Sequence, residues 1–418
     1  MIHTIIWDFN GTVLDDCAAS VEAVNQMMAR RNLGSITREW YEKNLIMPLE
    51  AFYESVGFDM QKERLPEVSA EFQVECAKVA RPIFPEVLEA LAYFKEQGYR
   101  QLLFSSLHQA VLEEQARERG IENFFEKIMG RPDRNLGSKK DQAKAYLEEQ
   151  GIAAKNVLFV GDLTTDHEMA AYVGGVSVLI PKGHQHQTVL EKTGAHILKD
   201  ASELKGFLKK MNIEKALKNL EKNRFEPYFL ETKEEVVPLL KKLLKKGCSV
   251  SVGGSETLKE VGALELLGNG DYEYLDRYAK GADPREIFIK ALSADAYLTS
   301  ANAISEEGEL INVDGNSNRI AAICYGPESV IVVAGVNKLV ENAEEGLKRI
   351  KRIAAPQNAK RLSCETYCAS FGICKGAEGS ITAGCGGMGR ICCNYLISGP
   401  QRHAGRIKVI LVNEELGY

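Results

Sequence analysis

Four groups of reactive side chains recur in a fixed order along the first half of the chain. Each group follows an apolar run or a glycine-containing loop: Asp8 after residues 5–7, Ser105 and Ser106 after 101–104, Lys139 and Lys140 after 136–138, and Asp162 and Asp166 after 157–160. An apolar run that ends on a carboxylate and turns through Asn10-Gly11 is typical of a buried strand that presents a ligand-binding loop.

These residue types suit phosphoryl transfer. A carboxylate can attack phosphorus and divide one displacement into two easier steps. Mg²⁺ prefers a few carboxylates together with phosphate oxygens and water, and Asp8 and Asp162 supply such carboxylates. A hydroxyl and an ammonium group then orient the phosphoryl group and neutralise its charge.

Alternating strand and helix patterns in this half predict a parallel sheet with crossover helices. The carboxyl ends of parallel strands share one edge, so the four groups are expected to converge there. Residues 17–82 are too many for one crossover and predict a helical insertion that acts as a lid. Residues 209–215 read as a short polar connector to a second αβ series, with strands at 248–252, 296–299, 329–334 and 406–412.

Residues 1–210 resemble the haloacid dehalogenase superfamily, in particular phosphoglycolate-phosphatase-like proteins with a helical cap. The family pattern DxDGT appears as Asp8-Phe9-Asn10-Gly11-Thr12. The resemblance implies that Asp8 is the nucleophile, Ser105 the phosphate-binding hydroxyl and Lys139 the charge-stabilising lysine, with Lys140 as the alternative. It also implies Mg²⁺ ligands at Asp162, at Asp166 and at the backbone carbonyl of Asn10.

Asn10 departs from the family pattern, which has a second Asp at this position. An amide cannot shuttle a proton, and general acid–base help is worth roughly 10²–10⁴-fold. We therefore expect a slow phosphatase, or one that acts on esters with good leaving groups. The alternative is a phosphate-binding domain that has lost its activity.

Small polar residues cluster after the strands of the second half and predict a ligand cleft, with plain turns as the alternative. The candidate ligand-binding residues are Gly254, Ser255, Thr257, Asn302, Asn318, Arg319, Asn337 and Lys338. These strings, with 355–359 and 415–418, resemble the LUD domain of lactate-utilisation proteins over residues 215–418. Ser317 stands where glycine is expected. The resemblance implies a fold akin to sugar isomerases and coenzyme A transferases, and iron–sulfur oxidoreductase subunits as partners in lactate oxidation.

Six of the ten cysteines lie in the glycine-rich segment 364–393. A four-thiolate site is expected from Cys368, Cys374, Cys385 and Cys392, and it would accept Zn²⁺ or an iron–sulfur cluster. Free thiols in a loop are the alternative. His184 and His186 lie in a loop that reads as exposed surface.

The 418 residues carry a net charge of −6, so nucleic acid is not an expected partner. No apolar stretch approaches the roughly 20 residues of a membrane helix and no signal peptide precedes the first strand, so a cytoplasmic protein is expected. The sequence predicts a two-domain α/β protein that hydrolyses small phosphate monoesters through an aspartyl-phosphate, with a hydroxy acid such as glycolate or lactate as the product. The alternative is a redox-associated binding protein that uses the cysteine site.

Overall fold

The computed structural model of the protein describes residues 1–131 and 139–418. The predicted loop at 136–138 therefore lies outside the described residues. The chain divides into two units, one of residues 2–208 and one of residues 209–418 together with Met1. Each unit is built on a six-stranded parallel sheet, as the αβ alternation predicts.

The first unit has the strand order β3-β2-β1-β4-β5-β6, and every neighbouring pair is parallel. The strands are β1 (Thr4–Asp8), β2 (Arg100–His108), β3 (Lys127–Arg131), β4 (Val157–Gly161), β5 (Val176–Leu179) and β6 (His196–Ile197). All five residues of β1 and of β4 are buried, because helices cover both faces of the sheet. The chain runs outward from β1 to β3 and then returns to β4 on the other side of β1, so the topological switch point lies between β1 and β4.

A helical cap separates β1 from β2. The helices of the first unit are α1 (Cys17–Arg30), α2 (Arg38–Asn44), α3 (Leu49–Ser55), α4 (Leu65–Cys76), α5 (Pro85–Glu96), α6 (Gln109–Glu118), α7 (Lys139–Glu149), α8 (Thr164–Val173) and α9 (Gln187–Leu190). Helices α1 to α4 have an apolar core of their own, in which Val24 and Met27 pack with Tyr41, Phe52 and Tyr53. The insertion expected at 17–82 is thus a separately packed helical layer.

The residues expected to form a polar connector, 209–215, lie instead within one long helix. Helix α10 runs from Leu204 to Lys222, and Leu208, Ile213, Ala216 and Leu220 are buried along it. Ile213, Ala216 and Leu220 are three and four residues apart and form one apolar stripe, whereas Leu208 packs in the core of the first unit. The lysines between them made this stripe hard to recognise.

The second unit has the strand order β7-β16-β13-β10-β8-β9, again parallel throughout. Its strands are β7 (Glu226–Leu230), β8 (Ser249–Val252), β9 (Glu273–Tyr274), β10 (Ala296–Thr299), β13 (Ser329–Gly335) and β16 (Ile407–Val412). The chain passes outward from β8 to β9 and returns to β10, so the switch point lies between β8 and β10.

A smaller second sheet, which the sequence patterns did not predict, joins this unit. It has the order β14-β11-β12-β15, formed by β11 (Ala303–Ser305), β12 (Leu310–Asp314), β14 (Leu339–Val340) and β15 (Asn394–Ser398). The remaining helices are α11 (Val236–Leu243), α12 (Glu256–Glu260), α13 (Ala263–Leu267), α14 (Pro284–Ala291), α15 (Asn318–Cys324), α16 (Ala343–Arg349), α17 (Ala355–Arg361) and α18 (Tyr367–Phe371). Within the described residues, no helix is both long and apolar enough to cross a membrane.

Candidate functional site

Three carboxylates meet at the switch point of the first sheet. Asp8 ends β1, Asp162 directly follows β4, and Asp166 lies in the first turn of α8. Each contributes an oxygen atom, and the three atoms lie within 4.8 Å of one another. The sequence predicts this convergence, because parallel strands place their carboxyl ends at one edge.

Hydrogen bonds fix two of these carboxylates in position. The Thr12 hydroxyl donates to Asp162 Oδ1 at 2.9 Å, and the His184 backbone N–H donates to Asp162 Oδ2 at 2.6 Å. Asp166 Oδ2 accepts from the backbone N–H groups of Asp162 and Leu163, at 3.2 and 3.0 Å. Gly11 approaches so closely that a Cβ there would lie 2.2 Å from Asp162 Oδ2. Glycine at position 11 is therefore required by close packing as well as by its φ of +75°.

Lys139 is the lysine that enters the site. Its Nζ forms an ion pair with Asp8 and lies 3.4 Å from Asp166 Oδ1. Lys140 instead places its Nζ 5.2 Å from the centre of the Tyr172 ring. Burial lowers the pKa of Lys139, but Asp8 and Asp166 together raise it above its usual range, so this ammonium stays charged.

The cluster carries more negative charge than Lys139 compensates. Burial, followed by repulsion from Asp166 and Asp162, raises the pKa of Asp8 although Lys139 lowers it. Burial and Asp166 likewise raise the pKa of Asp162, against the opposing effect of His184. Three buried carboxylates whose negative charge is only partly compensated can bind a hard divalent cation such as Mg²⁺ through their oxygen atoms. The donor set therefore fits the metal that the resemblance implies.

Asp16 and His184 complete the site, and sequence reasoning missed both. The Asn10 amide donates to Asp16 Oδ2 at 2.6 Å, the Gly11 N–H donates to Asp16 Oδ1 at 2.8 Å, and His184 Nε2 lies 3.1 Å from the same oxygen. Burial raises the pKa of Asp16, but hydrogen bonds from His184, Asn10 and Gly11 outweigh it and lower the pKa. Asp16 is thus an ionised carboxylate that orients the Asn10 amide.

His184 is not on the surface, as its loop composition suggested. Only 7% of it is exposed, because the cap residue Tyr41 packs over it with its hydroxyl 3.2 Å from Nδ1. Burial lowers the pKa of His184, but Tyr41 and Asp16 raise it well above its ordinary value. Two features of this loop are consistent with the contact. The loop follows β5, and it contains Gly183, where an added Cβ would clash with Asp162.

Ser105 lies at the same sheet edge, in β2 beside β1. It is 5% exposed, and its hydroxyl is 3.5 Å from Asn10 Oδ1 and accepts from the Leu107 N–H at 3.2 Å. A bulge in the β2–β3 pairing between Phe104 and His108 accompanies this turn. Ser105 lines the same cavity as Lys139, which suits the phosphate-binding role expected for it.

A cavity of about 460 Å³ opens from the carboxylates into the cap. Asp8, Asn10, Ser105 and Lys139 line its floor. The cap contributes mainly apolar and aromatic side chains: Val24, Tyr41, Leu45, Met47, Leu49, Phe52, Tyr53 and Phe72, with Ser20, Ser69 and Gln73. Of the described cap residues that line the cavity, none is an arginine or a lysine.

A second cavity, of about 430 Å³, lies within the second unit at its own switch point. Seven of the eight residues predicted to bind a ligand line it: Gly254, Ser255, Thr257, Asn302, Asn318, Arg319 and Lys338. The eighth, Asn337, is not among its lining residues. Asn337 Oδ1 instead accepts from the Leu416 N–H at 3.2 Å, and this contact ties down the last residues of the chain.

Arg319 lines this cavity but is fully engaged by protein groups. It donates to Asp314, to Asn312, to Asn302 and to the carbonyls of Ser300 and Val313, at 2.7 to 3.0 Å. All of its guanidinium donors point into the fold, so its role is to brace the loops around the cavity. Ser317, just before α15, adopts φ +62°, the left-handed conformation for which glycine was expected.

Among the described residues, the one group of three or more metal-compatible ligand atoms within 4.8 Å is the aspartate cluster, so this geometry gives no support to the predicted four-thiolate site. The Cys368 thiol lies 3.4 Å from the Thr366 hydroxyl. Arg390 holds the chain at Cys385 and Cys392 through their backbone carbonyls, at 3.2 and 3.0 Å. Local turns and one guanidinium thus organise this segment, and Cys385 lies near enough to Cys392 and Cys368 for them to raise the pKa of its thiol, after the larger effect of burial.

The first unit, with its carboxylates and lysine at the switch point of a parallel sheet beneath a helical cap, has the architecture of a capped α/β hydrolase. The sequence pattern of the haloacid dehalogenase-like hydrolases matches residues 5–180, and that of the LUD domain matches residues 213–412. The chain therefore consists of a haloacid dehalogenase-like domain followed by a LUD domain.

Three individual proteins illustrate the similarity of the first domain. The probable phosphatase IndB of Dickeya dadantii is 23% identical over 192 residues, which cover 43% of this chain and 81% of that protein. The phosphoglycolate phosphatase of Pectobacterium atrosepticum is 23% identical over 208 residues, covering 48% and 88%. A crystal structure of a predicted phosphoglycolate phosphatase from Haemophilus somnus is 17% identical, covers 50% of this chain and 98% of its own, and has a TM-score of 0.42.

Proposed function

We propose that the first domain hydrolyses small organic phosphate monoesters through an aspartyl-phosphate at Asp8, with Mg²⁺ bound by Asp8, Asp162 and Asp166. The observation that carries the proposal is the meeting of these three carboxylates with Lys139 on the floor of a cavity. The relatives named as phosphatases support it. The cation, when bound, supplies positive charge to the phosphoryl oxygens and to the nucleophilic carboxylate.

The chain's own residues account for the rest of the first step. An Asp8 oxygen forms a bond to phosphorus, the ester P–O bond breaks, and the alcohol oxygen leaves with the electron pair and takes up a proton. Lys139 and the Ser105 hydroxyl hold the phosphoryl group in line with Asp8 and offset its charge. Water then attacks phosphorus, inorganic phosphate departs, and Asp8 is restored.

Asn10 lacks the proton that a leaving alkoxide needs, and it lacks the basicity that would activate water. Its amide is held by Asp16 at 2.6 Å, with the carboxamide oxygen 3.5 Å from Ser105. Asn10 therefore positions groups by hydrogen bonding and does not transfer protons. Turnover should therefore be slow, and the enzyme should prefer esters whose alcohols are good leaving groups.

The cap lining favours an alcohol with an apolar body. The cavity wall is formed by side chains such as Phe52, Phe72 and Leu49. A mainly apolar wall binds the apolar part of a ligand. A substrate such as phosphoglycolate carries a carboxylate, and no described cap residue of this wall supplies a cation for it. The cationic side chains that line the cavity, Lys139, Lys140 and His184, all come from outside the cap. An apolar phosphate ester therefore fits this site better than the phosphorylated hydroxy acid that the domain fusion suggested.

A panel of phosphate monoesters tests this proposal. Purified protein with Mg²⁺ should release phosphate from aryl and medium-chain alkyl phosphates faster than from phosphoglycolate, and a chelator should abolish the release. The matched control is Asp8→Asn, which keeps the size of the side chain and removes the nucleophile. Activity that survives in this variant would show a contaminating enzyme, and a preference for phosphoglycolate would refute the apolar substrate class.

Within residues 1–131 and 139–418, no structural feature favours the alternative function, a redox-associated binding protein. The thiols on which it depends do not bring three ligand atoms within 4.8 Å of one another there. The iron–sulfur partners and the lactate-linked role were implied by the LUD resemblance, and no contact in the described residues supports them.

A further inference from the structure

The second domain holds a buried lysine that has no carboxylate partner among the described residues. Lys338 follows β13 and is only 3% exposed. Its Nζ donates to the Thr257 hydroxyl at 2.9 Å and to the Ser300 hydroxyl at 3.0 Å. Thr257 lies in the first turn of α12, which follows β8, and Ser300 directly follows β10. These strands lie on either side of the switch point, where open α/β sheets bind ligands.

The surroundings of Lys338 add positive charge. Arg349 is also buried and donates to the Asn302 carbonyl at 2.6 Å and to the Asn337 carbonyl at 3.2 Å. Among the described residues, neither Lys338 nor Arg349 has a carboxylate within ion-pairing distance, whereas Arg319 is neutralised by Asp314. Burying an unpaired ammonium group is unfavourable, and such a group in a cleft is a candidate for a functional site.

We propose that the cavity of the second domain binds a small metabolite through an oxyanion, a carboxylate or a phosphate, held by Lys338 between Thr257 and Ser300. The cavity of about 430 Å³ is the size of a small-metabolite site. Its outer wall carries Tyr278, Phe288 and Arg277, whose guanidinium carbon lies 5.4 Å from the centre of the Phe288 ring. The oxyanion end is thus polar and deep, and the body of the ligand meets aromatic side chains nearer the surface.

Electrostatics support this assignment. Burial, then Arg349 and Arg319, lower the pKa of Lys338 to about 7, against a weaker opposing effect of Glu260. A bound oxyanion would offset the two arginines and favour the charged ammonium, so binding should be accompanied by protonation of Lys338. The Lys338 amine of the free protein should therefore be reactive near pH 8 and become unreactive when the anion binds.

Competitive acetylation of the intact chain at pH 8, read out by mass spectrometry of the Lys338 peptide, tests this. Saturating inorganic phosphate or acetate should slow the labelling of Lys338 by at least about tenfold, which at pH 8 requires binding to raise its pKa by about two from the free value of about 7. The exposed Lys241 of the same domain serves as the internal reference. Protection by phosphate alone identifies a phosphate ligand, and protection by acetate alone identifies a carboxylate. Labelling that neither anion changes would overturn the proposal.

Because this readout is specific to one peptide, anion binding at the first domain does not disturb it, and it is independent of the phosphatase proposal. A second measurement uses Lys338→Met, which keeps the length of the side chain. Hydrogen exchange at residues 253–258 should slow when the protecting anion is added to the unaltered chain, and should not change in the variant. Equal slowing in both chains would exclude Lys338 as the anion-binding group.

Discussion

The Asn10 amide donates a 2.6 Å hydrogen bond to the carboxylate of Asp16. The position that carries a second Asp in the haloacid dehalogenase pattern therefore holds a neutral donor here, and the negative charge lies six residues later. Asp16 also accepts from the Gly11 N–H and contacts His184, so these contacts hold its carboxylate in place at the edge of the cavity. This arrangement predicts how the reaction rate should depend on the leaving group of the substrate.

The first prediction concerns the leaving group. Without a general acid, the departing oxygen must carry its own negative charge, so rates should fall steeply as the alcohol becomes less acidic. For the unaltered protein with Mg²⁺, kcat/KM measured over a series of aryl and alkyl phosphates should decline strongly along the series. A flat dependence would show that some other group delivers the proton.

The second prediction exchanges the two side chains. Asn10→Asp combined with Asp16→Asn keeps an amide–carboxylate pair, with the carboxyl group now at the cavity. Steady-state turnover on an alkyl phosphate should rise, within a ceiling of roughly 10²–10⁴-fold, and the leaving-group dependence should flatten.

Asn10→Asp alone is the matched comparison for this exchange. It places two carboxyl groups at hydrogen-bonding distance, and such a pair retains a shared proton. Its gain should therefore appear together with a pH optimum higher than that of the double variant. If neither variant turns over alkyl phosphates faster than the original chain, the role assigned to Asn10 is wrong.

The strand-end carboxylates could be predicted from sequence because a buried apolar run that stops at a polar residue marks the edge of a parallel sheet. Asp8, Ser105 and Asp162 were identified in this way. Asp16 and His184 could not be, because their roles depend on the cap covering two loops, and no periodic pattern reports that burial. An Asp just before a helix is also the commonest form of a plain helix cap.

In the second domain, the composition of the loops predicted where the cavity lies, but it did not predict the role of each residue. Arg319 and Asn337 are polar enough to bind a ligand, yet both form hydrogen bonds with other groups of the protein. The small sheet escaped prediction because β11 and β14 have three and two residues, too few for an alternating pattern. The four-thiolate site stays a prediction from the number of cysteines in one segment, since their spacing contains no CxxC pair that would specify the ligands.

The third prediction concerns metal affinity and pH. The pKa values of Asp8 and Asp162 are raised in the folded protein, so without metal these groups hold protons that the unfolded chain releases near its ordinary acidic pKa. Their contribution to stability is therefore greatest at low pH and is lost as pH rises through the raised pKa values. A cation must displace these protons, so Mg²⁺ affinity should increase with pH.

Titration of Mg²⁺ at pH 5.5, 6.5 and 8 measures this directly, and the thermal stabilisation by Mg²⁺ should follow the same order. Asp166→Asn should weaken binding at every pH. An affinity independent of pH would mean that the cation does not contact these carboxylates.

The fourth prediction concerns Ser317, whose φ of +62° is unfavourable for any residue with a Cβ. Ser317→Gly should stabilise the second domain by up to about 1 kcal/mol, after the entropy that glycine adds to the unfolded chain is subtracted. Denaturant unfolding followed in the second domain measures the difference. Ser317→Ala is the control, since it retains the Cβ and should show no gain. A loss of stability in the glycine variant would contradict this account of the turn.

The central claim is that Asp8 carries the phosphoryl group during turnover. Because Asn10 supplies no base for the second step, the aspartyl-phosphate should accumulate. Rapid acid quenching of the protein with Mg²⁺ and an aryl phosphate should show a burst of the phenol equal to the concentration of sites. Peptide mapping should then find one phosphoryl group on the segment that contains Asp8, and neither signal should appear in Asp8→Asn. Phosphate release at an undiminished rate in that variant, with no phosphorylated peptide in the unaltered chain, would contradict the account.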